Sequence, residues 1–133
     1  MPGAALAAAT LFPGLAGFQA ALALGAPLGA VSWGGRRPGL LPGPLRLSSA
    51  AASVVFTLFA AVLLARGRVI TTQTVSARTL SRATRGIAAA MAFNTLGNVT
   101  SASPTERYDF GSLTLALAIL TTIVEQSAEP ECK

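Results

Sequence analysis

Ionisable side chains are confined to short stretches of this chain. Residues 1–35 carry none, and 48–65, 86–103 and 110–124 are likewise uncharged. A hydrocarbon core about 30 Å thick is crossed by roughly 20 mainly apolar helical residues, or somewhat fewer where flanking side chains snorkel. The pattern therefore predicts four membrane-crossing helices, at approximately 13–32, 48–65, 86–100 and 110–124. The first is expected to begin near Pro13, because proline is harmless in a first helical turn, with the Ala-rich residues before it as a lead-in. The second, centred on "VVFTLFAAVLL", is the plainest. The third is the weakest, since Asn94 and Asn98 cost insertion energy and "GIAAAMAF" returns little. The fourth is short and must tilt little or thin the bilayer locally.

Composition agrees with lipid as the solvent. The 133 residues are 52% hydrophobic and 11% charged, with mean hydropathy +0.59, against roughly 25% charge in ordinary soluble domains. A soluble Ala-rich bundle would show a charged face on each helix, and these segments do not. The fold class expected is all-α, a membrane four-helix bundle in a single transmembrane domain, with a basic loop at 66–85 and a polar tail at 125–133. "ALALGA" would suit a signal-peptide cleavage site, but no Lys or Arg supplies a charged n-region, so an uncleaved N-terminus is expected.

Charge placement then bears on orientation. Four crossings put Arg66, Arg68, Arg78, Arg82, Arg85 and Lys133 on one side and Arg36, Arg37, Arg46 and Arg107 on the other, six against four. The positive-inside rule places both termini in the cytoplasm of a multi-pass cell-membrane protein. The 66–85 loop reads either as a Ser/Thr-rich connector whose arginines set topology or as a stretch lying on an anionic leaflet, with Arg78, Arg82 and Arg85 at helical spacing. Nucleic acid is excluded as a partner for both readings, because no aromatic residue interleaves with the arginines.

Chemistry is sparse. There is no His, and the one Cys, Cys132, stands next to the last residue, so an internal disulfide, a Cys-based metal cage and the usual general base are all absent. No cofactor and no metal are expected. An enzyme would need Ser101 or Ser103 to act beside Glu106 and Arg107 without a recognisable base, and the chain is read as not an enzyme.

The helix faces carry more. Gly17, Ala21, Gly25 and Gly29 recur every fourth residue, either a ridge for close helix approach or simple Ala/Gly richness. Pro27 is expected to kink the first span and free the carbonyl of Ala23. Gln19 lies on the same stripe as Ala23. In the third span Gly86, Ala90, Asn94 and Asn98 form a face that runs from small to polar, and the two polar faces can meet. The asparagines then either bond between helices or line a ligand pocket. Beyond them, "SASPTER" must turn, which sets Glu106, Arg107 and Tyr108 beside Trp33, Arg36 and Arg37 of the first loop. Two arrangements suit this: an acid–base clasp between loops, or a pocket mouth roofed by Trp33 and floored by Gln19 and Asn94.

The blocks "FQAALALGAPLGAVSWGG" (18–35), "LPGPLRLSSA" (41–50) and "NVTSASPTERYDFG" (98–111) resemble three recurrent blocks of a family of small four-span bacterial integral membrane proteins with no assigned activity. Two positions depart from that pattern: Phe110 stands where another aromatic, usually Trp, is expected, and Gly111 where proline is. The resemblance implies fold and location and no activity.

Two functions fit these features. One is a structural or small-ligand- or lipid-binding module in the bilayer whose polar cluster is Gln19, Trp33, Arg36, Asn94, Asn98, Glu106 and Arg107. The other is a subunit of a homo-oligomeric small-molecule transporter, since four short helices enclose little volume. Coupled transporters normally hold an ionisable group inside the membrane, and the four spans as bounded above contain none.

Overall fold

The computed structural model describes residues 2–128. The chain folds as an all-α bundle of α1 (Pro2–Ala23), α2 (Gly43–Arg66), α3 (Ala77–Val99) and α4 (Gly111–Ala128). A turn of π-helix, Thr105–Phe110, runs directly into α4. Among the described residues, three helical segments are by length and composition able to cross a membrane: Pro2–Ala23, Gly43–Arg66 and Thr105–Ala128. The first half of α3, with Arg78, Ser81, Arg82 and Arg85, is too polar for α3 to join them.

The helix ends differ from those read off the uncharged runs. α1 starts at Pro2, because the Ala-rich lead-in is strongly helix-forming and packs inward at Ala5, Ala8 and Phe12, while Pro13 sits within the helix at an exposed position. It stops at Ala23 in a Schellman motif. The Ala26 N–H donates to the Ala21 carbonyl at 2.9 Å and the Gly25 N–H to Leu22 at 3.2 Å, with Gly25 at φ +103°. Pro27 therefore lies beyond the helix and does not kink it. The freed carbonyl of Ala23 accepts instead from Arg46 Nε of α2, at 3.2 Å. Gly25 and Gly29 leave the proposed small-residue ridge for the loop, and a Cβ at Gly17 would meet nothing within 4 Å among the described residues.

The basic loop is also shorter than expected. Ser76 caps α3 by accepting from the Thr79 N–H at 3.1 Å, so Arg78, Arg82 and Arg85 ride on the first turns of that helix and the connector is only 67–76. The last helical segment likewise extends past both ends of 110–124. Its candidate span holds Glu106, Arg107, Asp109 and Glu125, all of them outside the uncharged run 110–124. Of the polar tail, 129–133, including Cys132 and Lys133, lie outside the described residues.

α1 packs chiefly on α2 and α3 on α4, while α2 and α3 touch sparingly. The core runs through Ala8, Phe12, Phe56, Leu63, Met91 and Leu117, with the Phe12 and Phe56 rings stacked at 6.1 Å. Every one of the four helices contributes to it, which is how a chain of small residues excludes water or lipid from its centre. We call the end bearing 24–42 and 100–104 the cap, and the opposite end the base. Near the cap the packing opens into a cavity.

Candidate functional site

The cap is built from two loops that hold each other through one carboxylate. In the first loop the Gly29 N–H donates to the Gly39 carbonyl at 2.9 Å, closing the segment on itself. Trp33 (φ 50°), Gly34 (φ 86°) and Gly35 (φ 68°) then take left-handed backbone conformations in succession. This turns the Gly34 N–H toward the second loop, where it donates to Glu106 Oε2 at 2.9 Å. Ser101 Oγ donates to the same oxygen at 2.5 Å and accepts from the Ser103 N–H at 3.0 Å. Glu106 is only 8% exposed, and charge-assisted hydrogen bonds to a buried carboxylate are the strong kind.

The π-turn places that carboxylate. The Gly111 N–H bonds back to the Glu106 carbonyl, five residues earlier, so the turn is one residue wider than an α-helical one. Such widenings concentrate at functional sites. Phe110, on the same turn, packs its ring 4.8 Å from that of Phe18 on α1.

Below the cap lies a cavity of about 520 Å³ between α2 and α3. Ala51, Ala52, Val55, Phe56 and Phe59 form its α2 wall and Ala90, Asn94, Gly97 and Asn98 its α3 wall. Leu15, Phe18 and Gln19 of α1 and Phe110 and Thr114 of the last helical segment close the back, and 31–34 with Glu106 form the roof. Ala51 and Val55 on one lip and Asn94 and Gly97 on the other are exposed, so the cavity opens on the flank of the bundle. Sparse α2–α3 packing is what leaves the space.

The structure thus brings Gln19, Trp33, Asn94, Asn98 and Glu106 to one cavity and leaves Arg36 and Arg107 out of its lining. The clasp between acid and bases does not form. Among the described residues the ion pairs are Arg66–Glu125 and Arg85–Glu125. Glu106 binds the first loop through a backbone N–H, and Arg107 Nη2 donates to the Ser101 carbonyl at 2.8 Å. Trp33 is fixed by its indole N–H, which donates to Ser49 Oγ of α2 at 3.0 Å.

The two asparagines divide their work. Asn98 Nδ2 donates across to Thr114 Oγ1 on α4 at 3.2 Å, and Thr95 meets the same hydroxyl at 3.0 Å. Asn94 Nδ2 donates at 3.1 Å to the carbonyl of Ala90 in its own helix, and the residue is exposed at the cavity lip. Gln19 Oε1 is buried without a hydrogen-bond partner among the described residues, which is uncommon for a buried amide oxygen.

A second polar cluster, at the base, was missed. Glu125 accepts from Arg66 Nε at 2.8 Å, from Arg85 Nε at 3.1 Å and from the Ser81 hydroxyl, tying α2, α3 and α4 together. The end of the apolar run at Val124 assigns Glu125 to the tail. The better signal is its register: Thr114, Leu117, Thr121 and Glu125 follow at spacings of three and four, and all four are buried.

Among the described residues no group of three or more His, Cys, Asp or Glu side chains is placed to hold a metal ion. Comparison with family models, with curated proteins and with solved structures gives no match.

Proposed function

We propose that this is a multi-pass cell-membrane protein with both termini in the cytoplasm, whose cavity binds a small molecule or lipid from the outer half of the bilayer. Three helical segments are apolar and long enough to cross. In this reading α3 crosses as the fourth, carried by its contacts with α4 rather than by its own hydropathy. Glu106 and Glu125 stand 19 positions apart on one helical segment, roughly 28 Å at 1.5 Å per residue and close to the thickness of a hydrocarbon core. The acids would then mark the two interfaces.

The observation that carries the binding function is the flank-opening cavity, apolar over most of its wall with Gln19, Asn94, Asn98 and Glu106 among its lining. Mostly apolar concavities with a few convergent polar groups are what ligand sites look like. The expected readout is native mass spectrometry in mild detergent: a small molecule or lipid on the wild type, lost from a still-folded Asn94→Leu variant. A bare wild type sinks the proposal.

A transporter subunit is the second reading, favoured by the Glu106 carboxylate in the cavity wall within a candidate span. Ligand flux into vesicles, abolished by Glu106→Gln, separates it from a binding module.

A further inference from the structure

We infer that the cavity selects an organic cation that carries N–H donors on an apolar body, such as a protonated primary amine. This deepens the binding function proposed above and rests on it. The first ground is charge. The chain carries a formal net charge of +5, yet among the described residues the one charged side chain lining the cavity is an acid, Glu106, and no Lys or Arg reaches the lining. A buried carboxylate without a cation is costly, and an incoming ammonium group offsets that cost in a way that a neutral or anionic head does not.

The second ground is the state of the polar atoms. Glu106 Oε2 is occupied by Gly34 and Ser101, and Oε1 accepts nothing among the described residues. The Oδ1 atoms of Asn94 and Asn98 are equally without donors, since both side chains bond only through Nδ2, and Gln19 Oε1 is buried and unpartnered. The hydroxyls of Ser32 and Thr114 and the Trp33 indole N–H are spent on Leu28, Phe110 and Ser49. What remains is a set of oxygens in search of donors, together with amide N–H groups on the same carboxamides. A protonated amine supplies three N–H donors to such a set. A carboxylate or phosphate head supplies none and meets the Glu106 charge.

The third ground is the wall. Five of the eight aromatic residues of the chain, Phe18, Trp33, Phe56, Phe59 and Phe110, line this one cavity. Aromatic faces accept both the apolar body of such a ligand and, through their quadrupole, its positive end.

Trp33 is the only tryptophan and lies in the cavity roof, so it reports occupancy directly. The test is a fluorescence titration of the full chain in phosphatidylcholine nanodiscs, corrected against protein-free discs, with hexylammonium, hexanol and hexanoate. These share one apolar body and differ in the head. Hexylammonium is expected to saturate the Trp33 signal at a concentration lower than hexanol by about tenfold or more, the range for hydrogen bonds to a charged group, with hexanoate weakest. In Glu106→Gln the two should converge on the value of hexanol. Should that variant fail to fold, Asn94→Lys, at an exposed lip residue that bonds only its own helix, places a cation in the cavity and is expected to remove the preference for hexylammonium.

Saturable binding in which hexanol or hexanoate equals hexylammonium overturns the cation assignment and leaves the binding site standing. A preference that survives in folded Asn94→Lys overturns it as well. If none of the three saturates, the site itself is refuted and the cation assignment with it.

Discussion

Glu106 and Gly34 stand 72 positions apart in the chain, and the carboxylate of one accepts the backbone N–H of the other at 2.9 Å. This single contact joins the loop after α1 to the loop before α4. It makes the acid a latch for the cavity roof as well as part of its wall. Glu106→Ala leaves the Gly34 N–H and the Ser101 hydroxyl without their acceptor, and a destabilisation of about 2–4 kcal/mol is expected from two lost charge-assisted bonds. Glu106→Gln keeps one acceptor oxygen and should lose less. Thermal unfolding in mild detergent orders the two, and equal stability of wild type and Glu106→Ala would show that the latch carries no load.

The glycines of the same loop make a sharper comparison. A Cβ on Gly35 would lie 2.8 Å from Ser103 Cβ and 2.9 Å from the Ala30 carbonyl oxygen, on a backbone at φ +68°. One on Gly34, at φ +86°, would meet nothing within 4 Å. Gly34→Ala therefore pays for backbone conformation alone, about 1–2 kcal/mol, whereas Gly35→Ala adds a clash that pushes the loops apart, about 1–3 kcal/mol more. Acrylamide quenching of Trp33 should rise more in Gly35→Ala than in Gly34→Ala. The reverse order would mean that the loops do not meet at Ser103.

At the base the two arginines on Glu125 are not equivalent. The side chains of Arg66 and Glu125 are each 9% exposed, while that of Arg85 is 65% exposed. Glu125→Ala strands a buried guanidinium and should cost about 3–5 kcal/mol. Arg85→Ala removes a solvent-screened partner and should cost under about 1 kcal/mol. A double-mutant cycle between Arg66 and Glu125 is expected to show strong coupling, and additive effects would refute the buried pair.

The uncharged runs made the apolar helices α1, α2 and α4 legible, because a span that buries one face in its neighbours and another in lipid leaves little room for charge, whereas the arginines in the first half of α3 hid where that helix begins. Their ends were less legible. Pro27 announces a break, but the Schellman motif set by Gly25 had already ended α1 four residues earlier, at Ala23. In the cavity, the stripes carrying Gln19 and Asn94 with Asn98 were readable from spacing, since a fourfold repeat fixes a face. Arg36 and Arg107 drew attention by charge, whereas the partner of Glu106 in the first loop is the backbone N–H of Gly34, which no side-chain pattern displays. Glu125 was hidden because its register on the Thr114 and Thr121 stripe counts for more than its place after the last apolar residue.

Asn94 and Asn98 lie about one turn apart on α3 and both line the cavity, yet only Asn98 reaches another helix. Replacing each by leucine separates holding the bundle from binding a ligand. Asn98→Leu loses the contact to Thr114 Oγ1 and should lower stability by about 0.6–2 kcal/mol, the range for a hydrogen bond between membrane helices. Asn94→Leu removes a bond within its own helix from an exposed position and should leave stability within about 0.5 kcal/mol, while ligand retention in native mass spectrometry falls. Unfolding titrations and mass spectra of the two variants side by side give four values, and the assignment needs them in that pattern. An unstable Asn94→Leu beside an unperturbed Asn98→Leu would reverse the two roles, making the lip residue the one that joins the helices.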